Sequence, residues 1–373
     1  MNTYGPQERA AVLEVLDSGR LTMGERVAKF EEQFAAYIGC KYGVMVNSGS
    51  SANLLAMSII GLCNGDEVIT PAVTWSTTVF PIIQNRAVPV FADVKIPDLT
   101  IDWHSSTGCY SANTKALFPV HLLGNPCATE ILSERNIPVI EDCCEAQGAE
   151  INGRKVGSFG DISTFSFYFS HHLNTIEGGI LLTNNEEHAD AARTLRAHGW
   201  IRNRSDRDRI AGKYPAINAD FLFYQAGYCL RPTEIEAALG LVQLPRLEGF
   251  LRDRERNAEY WLKHLPEEKL ILPQPRQGVR HAWFGYPIGV RENAGLSRDQ
   301  LVQHLNRNGI ETRPIMSGNI TKHPALEGQL VRVPYPLRNA DQVDKLWFFI
   351  GNHSGIGERE REYVAEVIDE FVR

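Results

Sequence analysis

Seven short apolar segments between residues 42 and 184 constrain the fold more than any other feature of the chain. They are YGVMVNSG (42–49), DEVITPAV (66–73), VPVFADV (88–94), KALFPVHLLG (115–124), IPVIEDCC (137–144), DISTFSFYF (161–169) and GGILLTN (178–184). Stretches of helical length, such as SANLLAMSIIGL and ATEILSERN, separate several of them. Buried strands that alternate with helices predict a mostly parallel sheet covered on both faces. Ligands of such sheets bind at the carboxyl ends of the strands.

The rest of the chain has a different pattern. RPTEIEAALGLVQLPRLEGFLRDRERNAEYWLKHL predicts a long helix bent at Pro245, and the polar residues 200–220 predict a surface loop. From about residue 270 two strands and two helices follow a proline-rich link. We therefore predict a large α/β domain over residues 1–245 and a smaller α+β domain over residues 246–373.

Charge and cysteine content narrow the function classes. The net charge of -7 disfavours a sequence-independent nucleic-acid binder. No apolar run reaches the roughly 20 residues that span a bilayer. The start, MNTYGPQERAAVLEV, lacks the pattern of a signal peptide, and seven scattered cysteines do not suggest a disulfide framework. We expect a cytoplasmic protein.

The segment NSGSSANLLA (47–56) follows a strand and opens a helix. Small residues there let backbone N–H groups and hydroxyls face an anion at the positive end of the helix. The segment contains neither the P-loop nor the dinucleotide-binding fingerprint. It is therefore either a phosphate cup of another kind or a helix start with Ser48 as a plain N-cap.

Two further motifs end predicted strands. IEDCCEAQGA (140–149) places Glu141, Asp142 and Glu145 at the rim of the sheet, where Asp142 either holds a protonated ring nitrogen or serves as an N-cap or surface carboxylate. TFSFYFSHHLNTIEGG (164–179) carries adjacent histidines. Neighbours on an extended segment point opposite ways, so at most one of His171 and His172 should face a given pocket. That disfavours a shared metal ion, and we predict no metal site.

Together these motifs resemble the DegT/DnrJ/EryC1/StrS sugar-aminotransferase family of fold-type-I pyridoxal-phosphate enzymes. That family carries S-F-x-x-x-K-x-x-T-x-x-E-G-G, whose lysine binds the cofactor covalently. Here Ser166, Thr175 and residues 177–179 keep their places, while His171 takes the lysine position. The resemblance covers essentially the whole chain and implies a large, mostly parallel, seven-stranded sheet domain with a smaller C-terminal α+β domain.

With a histidine at the lysine position, the chain resembles one branch of the family. Members of that branch remove the C-3 hydroxyl of nucleotide-linked 4-keto-6-deoxyhexoses. LDSGRLTMGERVAKFEEQFA (16–35), PAVTWSTTVFPIIQ (71–84) and IETRPIMSGNITKHP (310–324) also resemble it. This implies noncovalent pyridoxamine 5'-phosphate, formed from pyridoxal 5'-phosphate with L-glutamate as amino donor. The implied substrate is GDP-4-keto-6-deoxy-D-mannose, in dideoxysugar biosynthesis for O-antigen lipopolysaccharide. A sister branch has an iron–sulfur cluster, whose extra cysteines follow the segment LRAHGW; WIRNRSDRDRIAGK has none here, so we predict no cluster.

The resemblance also implies roles for individual residues. His171 would be the catalytic base, because an imidazole with a reference pKa near 6.5 accepts and returns a proton near neutrality. Asp142 would pair with the pyridinium nitrogen, and Glu145 would contact the phenolic oxygen with a raised pKa. The remaining implied cofactor contacts are Trp75 on the ring and Gly49, Ser50 and Ser166 on the phosphate.

A homodimer with active sites at its interface is also implied, with one departure from the family pattern. The family often has G-Y-N-x-R, whose asparagine reaches the partner's phosphate. Here GYCLR places Cys229, a weak donor, in that position. The implied substrate contacts are Arg231, Arg313 and Asn319.

Three alternatives remain at this stage. The chain is an aminotransferase relative acting on a CDP- or TDP-linked 4-keto sugar, a pseudoenzyme in sugar regulation, or a metal-binding protein that uses His171, His172 and the cysteines. The last predicts stoichiometric zinc or iron.

Overall fold

A computed structural model describes residues 3–132 and 136–372. The strands are β1 (Tyr42–Val46), β2 (Glu67–Pro71), β3 (Val88–Ala92), β4 (Thr114–Leu117), β5 (Ile140–Asp142), β6 (Glu150–Ile151), β7 (Arg154–Lys155), β8 (Ile162–Ser166), β9 (Gly179–Thr183), β10 (Leu270–Ile271), β11 (Val279–Arg280), β12 (Gly285–Val290), β13 (Thr312–Pro314) and β14 (Trp347–Gly351). The helices are α1 (Pro6–Ser18), α2 (Glu25–Ile38), α3 (Gly49–Ile59), α4 (Ser76–Gln84), α5 (Glu186–Arg196), α6 (Arg207–Ala211), α7 (Glu234–Gln243), α8 (Leu247–His264), α9 (Arg298–Arg307), α10 (Arg338–Leu346) and α11 (Glu358–Val372).

All seven predicted strands are present in one sheet region. Strands β1-β9-β8-β5 and β3-β2-β4 form two hydrogen-bonded sets. Parallel bridges from Leu117 to Val139 and from Val120 to Asp142 join β4 to β5. The order is therefore β1-β9-β8-β5-β4-β2-β3, which confirms the predicted seven-stranded, mostly parallel sheet.

Strand β9 is the antiparallel exception, and it pairs in that sense with both β1 and β8. Residues 167–178 connect β8 to β9 through turns rather than through a crossover helix. A parallel connection needs such a crossover, so the chain reverses direction instead. This reversal leaves the histidine-bearing loop at the carboxyl end of β8.

The second predicted unit also forms. Antiparallel strands β10-β12-β14-β13 pack with α8, α9 and α11 around a core that includes Trp261, Tyr286, Leu301, Phe348 and Ile368. A 3-10 turn at Leu244–Arg246 separates α7 from α8, so the long helix predicted from the sequence is interrupted at Pro245.

The division between residues 245 and 246 stays a prediction. Helix α8 contributes to both cores: its first turns place Leu247 and Leu251 in a cluster with Phe34 and Phe165, and its last turns place Trp261 in the other cluster. Strand β11 also pairs with β6, in a three-stranded sheet ordered β11-β6-β7. The two units are thus joined by a shared helix and a shared small sheet.

The prediction of a plain surface loop over residues 200–220 is wrong in one respect. The segment contains helix α6. Its residue Ile210 is buried with Ile201 and Leu222 in a small separate cluster. Burial of these apolar side chains stabilises a helix that the polar sequence around it does not suggest. Within the described residues, the structure contains no helix that is long and apolar enough to span a lipid bilayer.

Candidate active site

The junction of β1 and α3 forms a helix N-terminus beside the end of β8. Ser48 is the N-cap of α3, and its Oγ accepts a hydrogen bond from the backbone N–H of Ser51 (3.1 Å). Gly49 is buried, and a Cβ placed on it would lie 2.6 Å from the Cβ of Ser166. Ser50 is exposed. The close approach requires glycine and brings Ser166 to a helix end whose N–H groups favour anions.

Asp142 ends β5 as a buried carboxylate held by three donors. Its Oδ2 accepts hydrogen bonds from Asn53 Nδ2 (3.0 Å) and Thr78 Oγ1 (2.8 Å), and its Oδ1 accepts one from the backbone N–H of Cys144 (3.1 Å). Asn53 comes from α3 and Thr78 from α4. The carboxylate is therefore fixed in orientation by two helices, and the alternative of a surface carboxylate is excluded by its 4% exposure.

Glu145 lies one turn further along and has a different environment. Its Oε2 accepts a single hydrogen bond, from the backbone N–H of Leu123 (2.7 Å). Burial raises the pKa of Glu145 to about 8; the Leu123 hydrogen bond opposes this shift, and the negative charge of Asp142 adds to it. The rise in pKa predicted from the sequence is confirmed. Leu123 itself has a φ of +53°, a left-handed conformation that persists only when its surroundings hold it.

His171 is buried in the loop after β8. Its backbone N–H donates to the carbonyl of Tyr168 (2.9 Å), which closes a turn, and its ring centroid lies 5.0 Å from that of Phe284. The buried Nδ1 has no hydrogen-bond partner. Burial, together with the positive charge of Arg254, lowers the pKa of His171 to about 3. The imidazole is therefore neutral near pH 7, and its proton affinity is lower than the reference value used in the sequence interpretation.

His172 is buried beside it but has a different role. Its Nε2 donates to the carbonyl of Ala282 (2.8 Å), and its ring centroid lies 6.0 Å from that of Phe284. The chain turns here instead of continuing extended, so the strand alternation assumed in the sequence interpretation does not apply to these two residues. Both rings contact the same phenylalanine, but His172 is committed to a structural hydrogen bond.

A group of potential metal ligands lies elsewhere in the fold. His121, Glu141 and Cys143 are buried, with ligand atoms within 4.8 Å of one another. The backbone N–H of Cys127 donates to His121 Nδ1 (2.9 Å), and His121 Nε2 donates to Glu141 Oε2 (3.1 Å). Backbone N–H groups of residues 157, 159 and 160 also donate to Glu141. These hydrogen bonds occupy both ring nitrogens and the carboxylate, so the group is explained by structure alone.

The remaining predicted residues lie in three places. Trp75 is 58% exposed at the start of α4, three residues before Thr78. Arg231 is exposed near the Cys229 sulfur (4.0 Å), and exposed Arg313 pairs with Glu311 (2.5 Å). Within the described residues, no hydrogen bond joins these arginines to Asp142, Glu145 or His171.

The predicted substrate contact Asn319 is buried, and both polar atoms of its side chain have hydrogen-bond partners within the chain. Its Nδ2 donates to Asp341 (2.7 Å), and its Oδ1 accepts from the backbone N–H (3.2 Å) and hydroxyl (2.7 Å) of Thr321. This geometry makes it the cap of a short 3-10 helix. Its role toward substrate stays a prediction to which the geometry adds nothing.

Sequence reasoning missed four residues that shape the site: Asn53, Thr78, Leu123 and Phe284. Asn53 had a signal, since it follows Gly49 by four residues and therefore shares a face of α3 with it. The others are brought in by the fold from distant positions and had no local signal.

Comparisons with known proteins agree with this architecture. Residues 2–369 match the model of the DegT/DnrJ/EryC1/StrS aminotransferase family. The chain belongs to this family, whose solved members share its fold.

Within the family, the chain is similar to named 3-dehydratases. It is 39% identical over 380 residues to the GDP-4-keto-6-deoxy-D-mannose 3-dehydratase of Escherichia coli O55:H7, with 98% of each chain covered. It is 37% identical to the dTDP-4-dehydro-2,6-dideoxy-D-glucose 3-dehydratase of Saccharopolyspora spinosa, over 98% of this chain and 84% of that one. A solved structure of GDP-4-keto-6-deoxymannose-3-dehydratase with a trapped PLP-glutamate geminal diamine has a TM-score of 0.92 at 38% identity, over 99% of this chain and 98% of that one.

Proposed function

We propose that this protein removes the C-3 hydroxyl group from a nucleotide-linked 4-keto-6-deoxyhexose, GDP-4-keto-6-deoxy-D-mannose, with pyridoxamine 5'-phosphate as cofactor. L-glutamate restores the amine form of the cofactor. The observation that carries the proposal is His171, a buried neutral imidazole at the position where the family motif has its cofactor-binding lysine. The similarity to named 3-dehydratases and to a glutamate-bound structure supports the substrate and the donor.

The residues around the carboxyl ends of β1, β5 and β8 fit this cofactor. Asp142 is a buried, oriented carboxylate suited to the ring nitrogen, and Glu145 has one carboxyl oxygen hydrogen-bonded by Leu123 and is suited to the phenolic oxygen. Trp75 offers an exposed indole to the ring face. Gly49, Ser50 and Ser166 surround the helix N-terminus suited to the phosphate. When bound, the cofactor supplies the condensing amine and the electron sink.

His171 would move the proton. Its neutral ring would accept at Nε2, because Nδ1 is buried, a proton from the methylene carbon beside the cofactor's amine, and would give it to the C-3 hydroxyl, which would leave as water. The low pKa keeps nearly all of the imidazole in the form that accepts a proton at neutral pH. A lysine at this position would react with the cofactor and favour amino transfer, so its replacement directs the reaction to dehydration.

The proposal is tested by His171→Lys with a 4-keto-6-deoxy nucleotide sugar and glutamate. We expect loss of the 3-deoxy product and gain of a borohydride-reducible bond between the introduced amine and the cofactor, measured by product chromatography and mass spectrometry. His264→Lys, at an exposed position of α8, is the matched control. Unchanged formation of 3-deoxy product in His171→Lys would remove His171 as the base.

A dTDP-linked substrate is the second candidate, because a dTDP-sugar 3-dehydratase is 37% identical to this chain. The two candidates differ in the nucleotide, so kcat/KM measured with GDP-, CDP- and dTDP-linked sugars separates them. A higher value for the dTDP-linked sugar would replace the GDP assignment.

We also propose a homodimer that completes the site. Apolar side chains near the histidine loop and the 217–224 segment are exposed in the single chain: Phe169, Ile176, Phe221 and Phe223. Burial of these four side chains against a second copy of the chain would remove them from water. Light scattering should give twice the chain mass, and Phe223→Asp should shift it toward the monomer, whereas a monomeric parent would contradict the proposal.

For location we propose the cytoplasm. The seven cysteines are all free thiols in the structure, which suits a reducing compartment. Subcellular fractionation tests this placement, and recovery in an oxidising compartment would contradict it.

A further inference from the structure

Residues 282–284 form a strap that crosses the loop carrying Leu123. The backbone N–H of Ala282 donates to the carbonyl of Gly124 (2.9 Å), and the N–H of Phe284 donates to the carbonyl of Leu123 (2.9 Å). The contact is close, since a Cβ on Gly124 would lie 2.9 Å from the backbone nitrogen of Trp283. Two main-chain hydrogen bonds and a tight fit therefore fasten the 282–284 strap to this loop.

The 282–284 strap contacts the surroundings of both Glu145 and His171. On one side, the loop that it holds presents the N–H of Leu123 to Glu145. On the other side, the Phe284 ring packs on His171, and the Ala282 carbonyl accepts from His172. One short segment therefore sets the position of the base relative to the carboxyl group.

Arg254, on α8, holds the 282–284 strap by hydrogen bonds to its main-chain carbonyls. It is 1% exposed, and its Nη1 donates to the carbonyls of Trp283 (3.1 Å) and Phe284 (3.0 Å), and also to that of Asn352. Trp283 has a φ of +51°, a conformation that persists only when its surroundings hold it. Charge-assisted hydrogen bonds from a buried guanidinium supply that restraint.

We propose that Arg254 is a positioning residue for His171, because it holds the 282–284 strap so that Phe284 packs on the imidazole and keeps a positive charge beside it. This inference rests on the proposed function of His171 as the base. Arg254 would act on His171 in two ways, through the Phe284 ring that the 282–284 strap places on the imidazole and through its own positive charge.

The ionisable groups around the base allow the charge effect to be separated from burial. Tyr168 and His172 face His171 from its own loop, Arg254 faces it from α8, and His281 adjoins the strap. The positive charge of Arg254 contributes to the lowered pKa of both His171 and His172. Burial alone lowers the pKa of His281 to about 3. Loss of the charge should therefore raise the pKa of His171 but leave that of His281 unchanged.

The experiment compares Arg254→Met, Arg254→Lys and the control Arg256→Met, which changes an exposed arginine of the same helix that pairs with Asp253. For Arg254→Met we expect kcat to fall about 10–100-fold with KM nearly unchanged, because a small misplacement of the base slows the chemical step. NMR titration of the cofactor-free protein should show His171 titrating at higher pH. Arg254→Lys should recover part of the parent's kcat and part of its His171 titration. Arg256→Met should match the parent in both measurements.

A folded Arg254→Met variant with the parent's kcat and His171 titration would overturn the inference. If that variant does not fold, Phe284→Leu replaces it, since this change keeps Arg254 and the main-chain bonds but removes the ring. Phe284→Leu should lower kcat with little change in KM, and an unchanged kcat would overturn the inference. A parent protein without dehydratase activity would refute the proposed function instead, while the cofactor-free titration still tests the link from Arg254 to His171.

Discussion

The surroundings of Asp142 and His171 differ in how completely their polar atoms are satisfied. Asp142 accepts three hydrogen bonds, two from side chains of α3 and α4 and one from the backbone N–H of Cys144. His171 is held by packing against Phe284, and its buried Nδ1 has no partner. Buried polar atoms are rarely left unpaired, and each exception needs an explanation.

The roles proposed for the two groups would account for the difference, although Nδ1 of the neighbouring His172 is also buried without a partner. A carboxylate that balances one constant positive charge works best when rigidly oriented, so donors surround it. A base must exist in two protonation states, and strong hydrogen bonds to one state would oppose the other. The comparison predicts that changes near Asp142 alter cofactor binding, whereas changes at His171 alter the rate.

The largest expected effect is that of His171→Asn. An amide cannot take up the proton, so kcat should fall about 10³-fold, while cofactor affinity stays within about threefold of the parent. Product chromatography and equilibrium dialysis measure the two quantities, with His264→Asn as the exposed control. If His171→Asn lost cofactor affinity but turned over normally when loaded with cofactor, the proposed division of roles between His171 and Asp142 would be contradicted.

Asp142→Asn should have the second-largest effect, with about a 10²-fold loss of cofactor affinity and a fall in kcat. The neutral amide no longer attracts a protonated ring nitrogen, and its NH₂ group meets the donors of Asn53 and Thr78. Fluorescence titration with the cofactor measures the affinity. Asp299→Asn, at an exposed position of α9, should behave as the parent. Unchanged affinity in Asp142→Asn would contradict the assignment.

Thr78→Val removes one donor from Asp142 and keeps the side-chain shape. We expect about a tenfold loss of cofactor affinity, because one hydrogen bond to a charged group is worth roughly 1.5 kcal/mol. Thr78→Ser retains the hydroxyl and should recover most of the affinity. Equal affinities for the two variants would show that the hydroxyl does not support Asp142.

Glu145 extends the comparison with Asp142, because its carboxyl group accepts one hydrogen bond and that of Asp142 accepts three. The folded pKa of about 8 lies above the unfolded value, so ionisation on folding is unfavourable. Its contribution to stability is complete below about pH 4.5 and is lost as the pH rises toward 8. Glu145→Gln cannot ionise, so its unfolding free energy should lose this part of the dependence on pH.

Urea unfolding of the cofactor-free protein at pH 5 and pH 8 tests this prediction. The difference in unfolding free energy between the two pH values should be smaller for Glu145→Gln than for the parent. Glu292→Gln, at an exposed position, should leave the difference unchanged. Identical pH dependence of the parent and Glu145→Gln would show that the carboxyl group ionises as readily in the folded protein as in the unfolded chain.

Much of the fold and part of the site followed from the sequence. The seven strands were predictable because buried strands have local apolar patterns, and Asp142 and Glu145 because the end of a strand is a local position. The donors to Asp142 were not predictable: Asn53 lies 89 residues and Thr78 64 residues before it. The link from His172 to Ala282 spans 110 residues.

The sequence by itself determined the strands, the family motif and the replacement of its lysine by His171. All of these depend on residue type and short-range spacing. Only the tertiary structure decided that the histidine loop turns, that both rings pack on Phe284, and that His171 is neutral beside the 282–284 strap. Burial and the nearby charge of Arg254 set that protonation state, and both arise when distant segments pack together.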